Sequence, residues 1–489
     1  MGSKLLTKSK YIAGLQCDKL LWIKVNDPTK ILEVSPGQQA IFDQGHEVGG
    51  LAVKLFPAGV DLFEYSFIDN IKQTQKVIAE RKTIFEAGIM ADRLYARADI
   101  LVPVDNDMWD IVEVKSSTSV KDENIHDVAF QKYCYEKSGL KIRKCFLMYI
   151  NNEYVRQGDI DLKELFHKED ITELVKGIDS SIEGNVQRLL DIIDLKACPE
   201  VNIGSFCKTP YMCPLFAECH SFLPEHSVCE LRRVGAKSYE FIDKGIFGIK
   251  DIPDDVELNI SQQIQKKCIV NNAEYIDKQA IEDFLAKLQY PLYYLDFETI
   301  NSAVPLYDGT KPYQQIPFQF SLHIVTASGK TPEHHSFLAE AEKDPRPKFL
   351  ARLKELLGTE GGIVVYNQGF EKGRLNELGE YYSEEQWVQR IFDRVVDLLE
   401  PFRRFDYYHP QQGGSASLKN VLPAVTGKGY QDLVISNGGD ASSIYLSMVK
   451  NKIEQEKIAD IRKDLEVYCC LDTEGMVWIV EKLWDICSV

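Results

Sequence analysis

No run of 18 apolar residues occurs in this 489-residue chain. A helix that crosses a bilayer needs about 20 of them, so no membrane span is expected. The opening stretch MGSKLLTKSKYIAGLQCDKLLWIKV has neither the apolar core nor the small-residue cleavage site of a signal peptide. The sequence therefore reads as a cytoplasmic protein with no membrane partner. No GxxxxGK[ST] is present, which excludes a P-loop motor. Internal repeats and low-complexity tracts are absent too, leaving ordinary globular domains. Basic residues are in deficit: 57 Lys and Arg against 74 Asp and Glu give a formal charge of −17. Alone, that balance argues against a nucleic-acid partner, whose phosphates attract cationic side chains. Carboxylates that hold metal ions are neutralised by them, however. A nucleic-acid path would have to be a local basic groove.

The chain is 44% hydrophobic and 27% charged, enough for two or three domains with their own cores. There are 12 cysteines. In a reducing compartment a disulfide framework is not expected. Cys134, Cys145, Cys268, Cys469, Cys470 and Cys487 stand in apolar or helical contexts and read as core thiols. Cys17, Cys198, Cys207, Cys213, Cys219 and Cys229 require another explanation.

Residues 1–95 read as mostly helical. Residues 97–104 (RADILVPV) and 109–115 (WDIVEVK) are β-rich runs with the turn signal DND between them. A helical stretch, ENIHDVAFQKYCYEKSG, and a strand, KCFLMYI, follow. Residues 230–289 are polar and helical around a turn-rich piece in which GIFGIKDIP faintly resembles a helix-hairpin-helix. A new domain opens at Pro291, with strands YYLDFET, IPFQFSLHIVTA and GGIVVYN and a long C-terminal helix. Strands alternating with helices indicate mixed α/β structure.

Three groups of residues carry chemistry. In the first, Asp99 lies on one strand and Glu113 and Lys115 lie on the next at i, i+2, so the last two share a face. Two carboxylates can hold one or two Mg²⁺ ions, which take oxygen ligands. A bound ion acidifies its water and stabilises the pentacovalent phosphate. A lysine can orient that water and offset developing charge. On the following helix Gln131 and Tyr135 are four apart on one face. Upstream, His46 in GHEVG suits a further metal or phosphate contact. A Glu–Lys pair alone is ordinary surface chemistry; the ordered set is the signal. Over about residues 1–225 this set resembles the RecB-like branch of the PD-(D/E)xK nuclease superfamily. The resemblance implies that Asp99, Glu113 and His46 are metal ligands and Lys115 the catalytic lysine. It matches Gln131 and Tyr135 to the helix motif of that branch.

In the second group, Cys207, Cys213 and Cys219 follow C-x5-C-x5-C, with Pro210 and Pro214 stiffening the turns. Three thiols this close argue for a soft metal and need a fourth ligand. Cys17 is the choice; Cys198, Cys229 and His220 are rivals. Zn²⁺ accepts four thiolates as readily as iron does. RecB-like nucleases with an iron–sulfur cluster use one cysteine near the N-terminus and three after the core. That resemblance implies a [4Fe–4S] cluster stapling the ends of the domain, although the C-x2-C step of that group is missing here.

In the third group, LDFET puts Asp296 and Glu298 on one face of a strand. VVYNQGFEKGRL runs from a strand ending at Asn367 into a helix carrying Glu371. VYCCLDTEG places Tyr468 and Asp472 four apart on a helix. Acids bridging two cations about 4 Å apart, with a hydroxyl to position water, are what a two-metal phosphodiesterase requires. Over residues 290–489 this set resembles the DnaQ-like (DEDDy) exonucleases, of ribonuclease H-like fold. Glu371 stands where that family usually has Asp, and Asp397 is a substitute or neighbour. The same half resembles a bacterial domain family of unknown function found joined to RecB-like nucleases.

The sequence thus predicts an α/β protein in three parts. These are a restriction-endonuclease-like (RecB-like) domain over 1–225, a small helical connector over 226–289, and a DnaQ-like 3′–5′ exonuclease over 290–489. The expected activity is a Mg²⁺- or Mn²⁺-dependent nuclease with two phosphodiesterase sites. DNA with single-stranded ends is the expected substrate, in repair or defence. An RNA exonuclease is one alternative. A nucleic-acid-binding scaffold with one or both sites inactive is the other, and Glu371 keeps it open.

Overall fold

The structure is a computed structural model and describes residues 4–31, 36–105 and 107–488. It is mixed α/β and divides into two compact units. The first comprises Met1–Ser221 with Ser302–Tyr313; the second comprises Phe222–Asn301 with Gln314–Val489. Among the described residues no helix is long and apolar enough to cross a membrane.

The first unit is built on a seven-stranded sheet: β1 (Leu6–Thr7), β2 (Val60–Asp61), β3 (Ile84–Ala91), β4 (Leu94–Val104), β5 (Met108–Lys115), β6 (Lys141–Ile150) and β7 (Phe166–Asp170). The order is β2-β3-β4-β5-β6-β7, with β1 pairing β4. β3, β4 and β5 are antiparallel neighbours, whereas β5 and β6 are parallel. Parallel strands need a crossover, and the helix Asp122–Lys137 supplies it. Its Val128, Ala129, Phe130 and Cys134 share a core with Tyr11, Trp109 and the Ile182, Val186 and Leu189 stripe of the helix Thr172–Asp194. Each buried Val, Leu, Ile or Phe among them contributes about 1.5–3 kcal/mol relative to exposure. The expectation of mostly helical structure up to residue 95 is corrected at β3. IFEAGIMA lies between β2 and β4 and is apolar on both faces, and a short apolar run of that kind has no period to separate strand from buried helix.

The second unit holds β8 (Tyr275–Ile276), β9 (Leu292–Ile300), β10 (Ile316–Val325), β11 (Glu333–Leu338), β12 (Gly362–Val365), β13 (Val395–Asp397) and β14 (Tyr407–Tyr408). Five of them form a sheet in the order β11-β10-β9-β12-β13. β9 is central, antiparallel to β10 and parallel to β12. Burial on both faces explains why LYYLDFETI is continuously apolar apart from its acids. The 31-residue helix Ile458–Ser488 packs on β9 and β10. Its buried stripe runs Leu465, Tyr468, Asp472, Met476, Ile479, Leu483, which is one helical face. Residues 226–289, expected as a connector, group with this unit. β8 pairs with β14, Arg232 Nη1 donates to Gly414 O (3.1 Å), and Tyr407 Oη donates to Glu274 Oε2 (2.6 Å). After the helix Lys237–Asp243 the GIFGIKDIP segment makes a single 3₁₀ turn, Ile249–Asp251, in place of a second full helix.

Candidate functional site

In the first unit, β5 brings Glu113 and Lys115 to one face, and the crossover helix lays a buried polar row over them. Lys115 Nζ donates to Glu113 Oε1 (2.6 Å) and Asp127 Oδ2 (2.8 Å). Lys8 Nζ donates to the same Glu113 oxygen (2.7 Å). Gln131 Nε2 donates to Glu113 Oε2 (2.8 Å) and lies 3.3 Å from Asp127 Oδ1. Asp99 Oδ2 accepts from the Val114 N–H (2.7 Å). Burial raises Glu113, but Lys115 and Lys8 more than reverse this and hold it well below the usual carboxylate range. Burial and the charge of Glu113 push Asp99 up to about 7. Tyr135 is committed to the backbone: its hydroxyl accepts from Ala98 N–H and donates to Ala87 O. It anchors the helix to β3 and β4. His46 is exposed, its ring 6.4 Å from that of Phe63. Asp99, Glu113 and His46 do not close into a ligand trio within 4.8 Å.

Cys17, Cys207, Cys213 and Cys219 line one small cavity together with Phe206 and Phe216. Cys17 is the extended residue (φ −161°, ψ 127°) between the helices Lys8–Gln16 and Asp18–Asn26. Gln16 Nε2 donates to Phe206 O (2.8 Å) and Tyr211 O (2.7 Å), tying the N-terminal helix to the cysteine loop. The Cys213 N–H donates to Cys207 O (2.9 Å). Cys198, Cys229 and His220 do not line the cavity; the His220 ring stacks on Phe216 at 3.8 Å. No three of the four cavity thiols lie within 4.8 Å of one another.

In the second unit, carboxylate oxygens of Asp296, Glu298 and Asp472 all lie within 4.8 Å of one another. Glu298 and Asp472 are 7% and 6% exposed. Burial, then the neighbouring acids Asp472, Glu298 and Glu371, push Asp296 well up. Burial and Asp472 raise Glu298 to about 8. Burial raises Asp472 to about 6, against hydrogen bonds from Tyr430 and Tyr468. Glu371 lies in the first turn of the helix Gln368–Tyr382, which starts at Asn367 in the left-handed region (φ 80°). It is 2% exposed, burial raises it to about 8, and its Oε2 has no hydrogen-bond partner. It does not belong to the closest trio. Asp397 is committed elsewhere: Oδ1 accepts from Asn367 N–H (2.9 Å) and Leu399 N–H (3.1 Å), and Oδ2 from Arg403 (3.3 Å).

Sequence reasoning passed over four neighbours. Lys8 is 105 residues from Glu113, and Lys419 is 53 residues from Asp472, so no local spacing links either to those acids. Lys419 Nζ donates to Ser436 O (2.6 Å) and lies 5.4 Å above the Tyr468 ring and 5.8 Å above Tyr430. Tyr430 donates to Asp472 Oδ1. Asp127 did carry a signal, because it is four residues before Gln131 on one helical face.

The acid trio implies a pH dependence. A carboxyl raised on folding favours the fold while protonated, and that contribution is lost as pH rises through the folded value. Only Lys419 among the surrounding groups is cationic; Tyr430, Tyr468, Cys469 and Glu371 are neutral or acidic. The metal-free protein should therefore lose thermal stability between about pH 6 and pH 8, and bound cation should restore it. The rise in Tm on adding Mn²⁺ is expected to be larger at the higher pH, and less so in Glu298→Gln. Equal Mn²⁺ shifts at both pH values would remove the acids from the metal site.

A family model described as a domain of unknown function (DUF2779) matches residues 293–417. That span takes in Asp296, Glu298, Glu371 and Asp397 and stops short of Tyr468 and Asp472. The chain is 29% identical over 213 residues to the uncharacterized protein MG366 homolog of Mycoplasma pneumoniae, covering 40% of this chain and 32% of that protein. It is 26% identical over 269 residues to the uncharacterized protein UU173 of Ureaplasma parvum, covering 49% and 39%. The chain thus spans between a third and two fifths of the length of these relatives. Among solved structures, that of SSO0001 aligns at 14% identity over 46% of this chain and 89% of that chain, with a TM-score of 0.22.

Proposed function

We propose that the chain is a metal-dependent nuclease with two phosphodiesterase sites, one RecB-like and one DnaQ-like with a ribonuclease H-like arrangement. The observation that carries this reading is the close trio Asp296, Glu298 and Asp472, with Glu298 and Asp472 buried and Asp296 half-buried. Three acids packed this closely repel one another when ionised, and a divalent pair held by them would relieve that repulsion. Mg²⁺ or Mn²⁺ held there would supply an acidified water and a clamp on both attacking and leaving oxygens. Tyr468 and Tyr430, hydrogen-bonded to Asp472, hold its carboxylate and would orient a metal-bound water. Lys419 adds positive charge for a phosphate. The orphaned Glu371 oxygen supports a fourth acidic ligand. In the first unit, Asp99 and Glu113 are the metal acids and Lys115 the group that offsets developing charge.

A [4Fe–4S] cluster, which the resemblance implies, is the group proposed for the cysteine cavity, with Zn²⁺ the alternative. Four thiolates at about 2.3 Å from one tetrahedral Zn²⁺ stand about 3.8 Å apart. The four thiols line one cavity, as either group requires. Its role in this reading is structural. End-labelled single- and double-stranded DNA and RNA, incubated with Mg²⁺ or Mn²⁺, test the proposal: metal-dependent cleavage supports it, and intact substrates throughout would leave a binding scaffold. Cleavage of RNA alone would favour the RNA exonuclease.

The two lysines on Glu113 are expected to separate. Lys115 also grips Asp127 at 2.8 Å, whereas Lys8 is 3.8 Å from it. A cation that binds Glu113 must displace one ammonium, and Lys8 is the more weakly held. In an Asp296→Ala background, Lys115→Ala should cut first-site cleavage by on the order of 10²-fold or more. Lys8→Met should instead lower the Mg²⁺ concentration needed for half-maximal cleavage and leave the saturated rate nearly intact. If Lys8→Met is as inactive as Lys115→Ala at saturating metal, Lys8 takes part in the reaction itself.

A further inference from the structure

A second donor set lies on the same sheet as the acid trio and differs from it in kind. His323 on β10 and His334 on β11 are directly opposite partners, so both project from one face. One ring nitrogen of each and the Cys470 sulfur lie within 4.8 Å of one another. The two rings are stacked, with centroids 4.5 Å apart and planes 29° apart. His323 Nδ1 is 2.8 Å from Thr473 Oγ1, and His334 Nε2 is 3.0 Å from Ser321 Oγ. Those two hydroxyls are 2.6 Å from each other. The hydroxyl pair holds one nitrogen of each ring, and each imidazole has a second nitrogen. Metal-ligating histidines ordinarily have such an outer partner on the second nitrogen.

We propose that His323, His334 and Cys470 bind a single divalent transition ion of the zinc class, with the fourth position open to solvent. Two imidazoles and a thiol select such an ion over Mg²⁺, which prefers oxygen. Burial lowers both histidines, His323 to about 4, so both are in the neutral, ligating form at neutral pH. Bonds of about 2.0–2.3 Å to the ion require the donors to close up slightly. His334 is the mobile partner, being exposed on β11 at the sheet edge, while His323 is 5% exposed. The bound ion would pin β10 and β11 to the helix Ile458–Ser488, which carries Tyr468 and Asp472. The site is independent of the nuclease reading.

The test uses full-length wild-type protein, His334→Ala and Cys470→Ser, each with its cysteine-cavity group in place and in excess Mg²⁺ to fill the acid sites. Equilibrium dialysis against Zn²⁺, with elemental analysis, should give one more equivalent in wild type than in either variant. Co²⁺ in place of Zn²⁺ should produce a thiolate-to-cobalt charge-transfer band in the wild-type difference spectrum that Cys470→Ser lacks. Zn²⁺ should raise the Tm of wild type and leave that of His334→Ala unchanged. His334 is exposed, so its variant keeps the fold, which circular dichroism verifies. Equal zinc content in all three proteins, with no cobalt band that depends on Cys470, would overturn the site.

Discussion

Asp296→Ala is expected to abolish 3′-end trimming while cleavage that depends on Lys115 persists. β9 holds Asp296 opposite Ser321 of β10 and under the C-terminal helix. Its Oδ2 accepts from the Cys469 thiol at 3.8 Å, and a thiol is a weak donor. In the proposed site its counter-charge would come from bound cations. Losing a directly bridging carboxylate should cost more than the roughly 10–100-fold typical of an outer-shell partner. Tyr468→Phe keeps the ions and disturbs only the water, so a loss of about 10²-fold or less is expected. Glu371→Asp should retain trimming and Glu371→Ala should lose it, because in the proposed site the orphaned oxygen would be a ligand. A 5′-labelled oligonucleotide reports all four as ladders of shortened product. Removing one of three mutually repelling acids should also leave the metal-free Tm of Asp296→Ala equal to or above wild type, which distinguishes a lost ligand from a lost fold. An Asp296→Ala protein that trims at the wild-type rate would remove the second site.

Cys213→Ala is expected to lose the cavity-bound group and soluble yield together. Cys213 is 6% exposed and packs with Leu20, Ile23 and Leu215. Deleting one sulfur costs little packing by itself. Losing a thiolate ligand is different in scale, because binding at a structural thiolate site is folding free energy, on the order of 10 kcal/mol in small domains. The cavity joins residue 17 to residues 207–219, so it closes the first unit from end to end. Wild-type protein purified without oxygen should be brown, with broad visible absorbance from thiolate-bound iron. Cys134→Ala, at a fully buried thiol of the main core, should lose some stability and keep its colour. Colourless wild-type protein with stoichiometric zinc would overturn iron and preserve the four-cysteine staple. Coloured, soluble Cys213→Ala would break the ligand set.

Local pattern carried much of this site. The i, i+2 spacing of Glu113 and Lys115 and of Asp296 and Glu298 dictates a shared strand face, and the i, i+4 spacing of Tyr468 and Asp472 a shared helical face. The DND turn marks the step from β4 to β5 because a tight reversal needs such residues. What stayed hidden depends on long-range packing. Lys8 reaches Glu113 only because β1 pairs β4 and places the first helix against the sheet. Lys419 and Tyr430 reach the acids from the other side by the fold of residues 418–437. Asp397 looked like a metal acid, yet its oxygens cap backbone N–H groups at the end of β13. Tyr135 likewise sits on the predicted helix face, but close packing against β3 and β4 turns its hydroxyl to the backbone. Residue type and order cannot separate an acid that meets an ion from one that caps a turn.

The most direct measurement compares wild type with the double variant Lys115→Ala/Asp296→Ala on end-labelled single-stranded DNA in Mn²⁺. Both proteins are prepared identically and shown to be equally folded. Two phosphodiesterase sites require wild type to release short products only when metal is present, and the double variant to leave the substrate intact. Equal cleavage by the two proteins, or none by wild type on DNA or RNA at any metal concentration, would contradict the assignment.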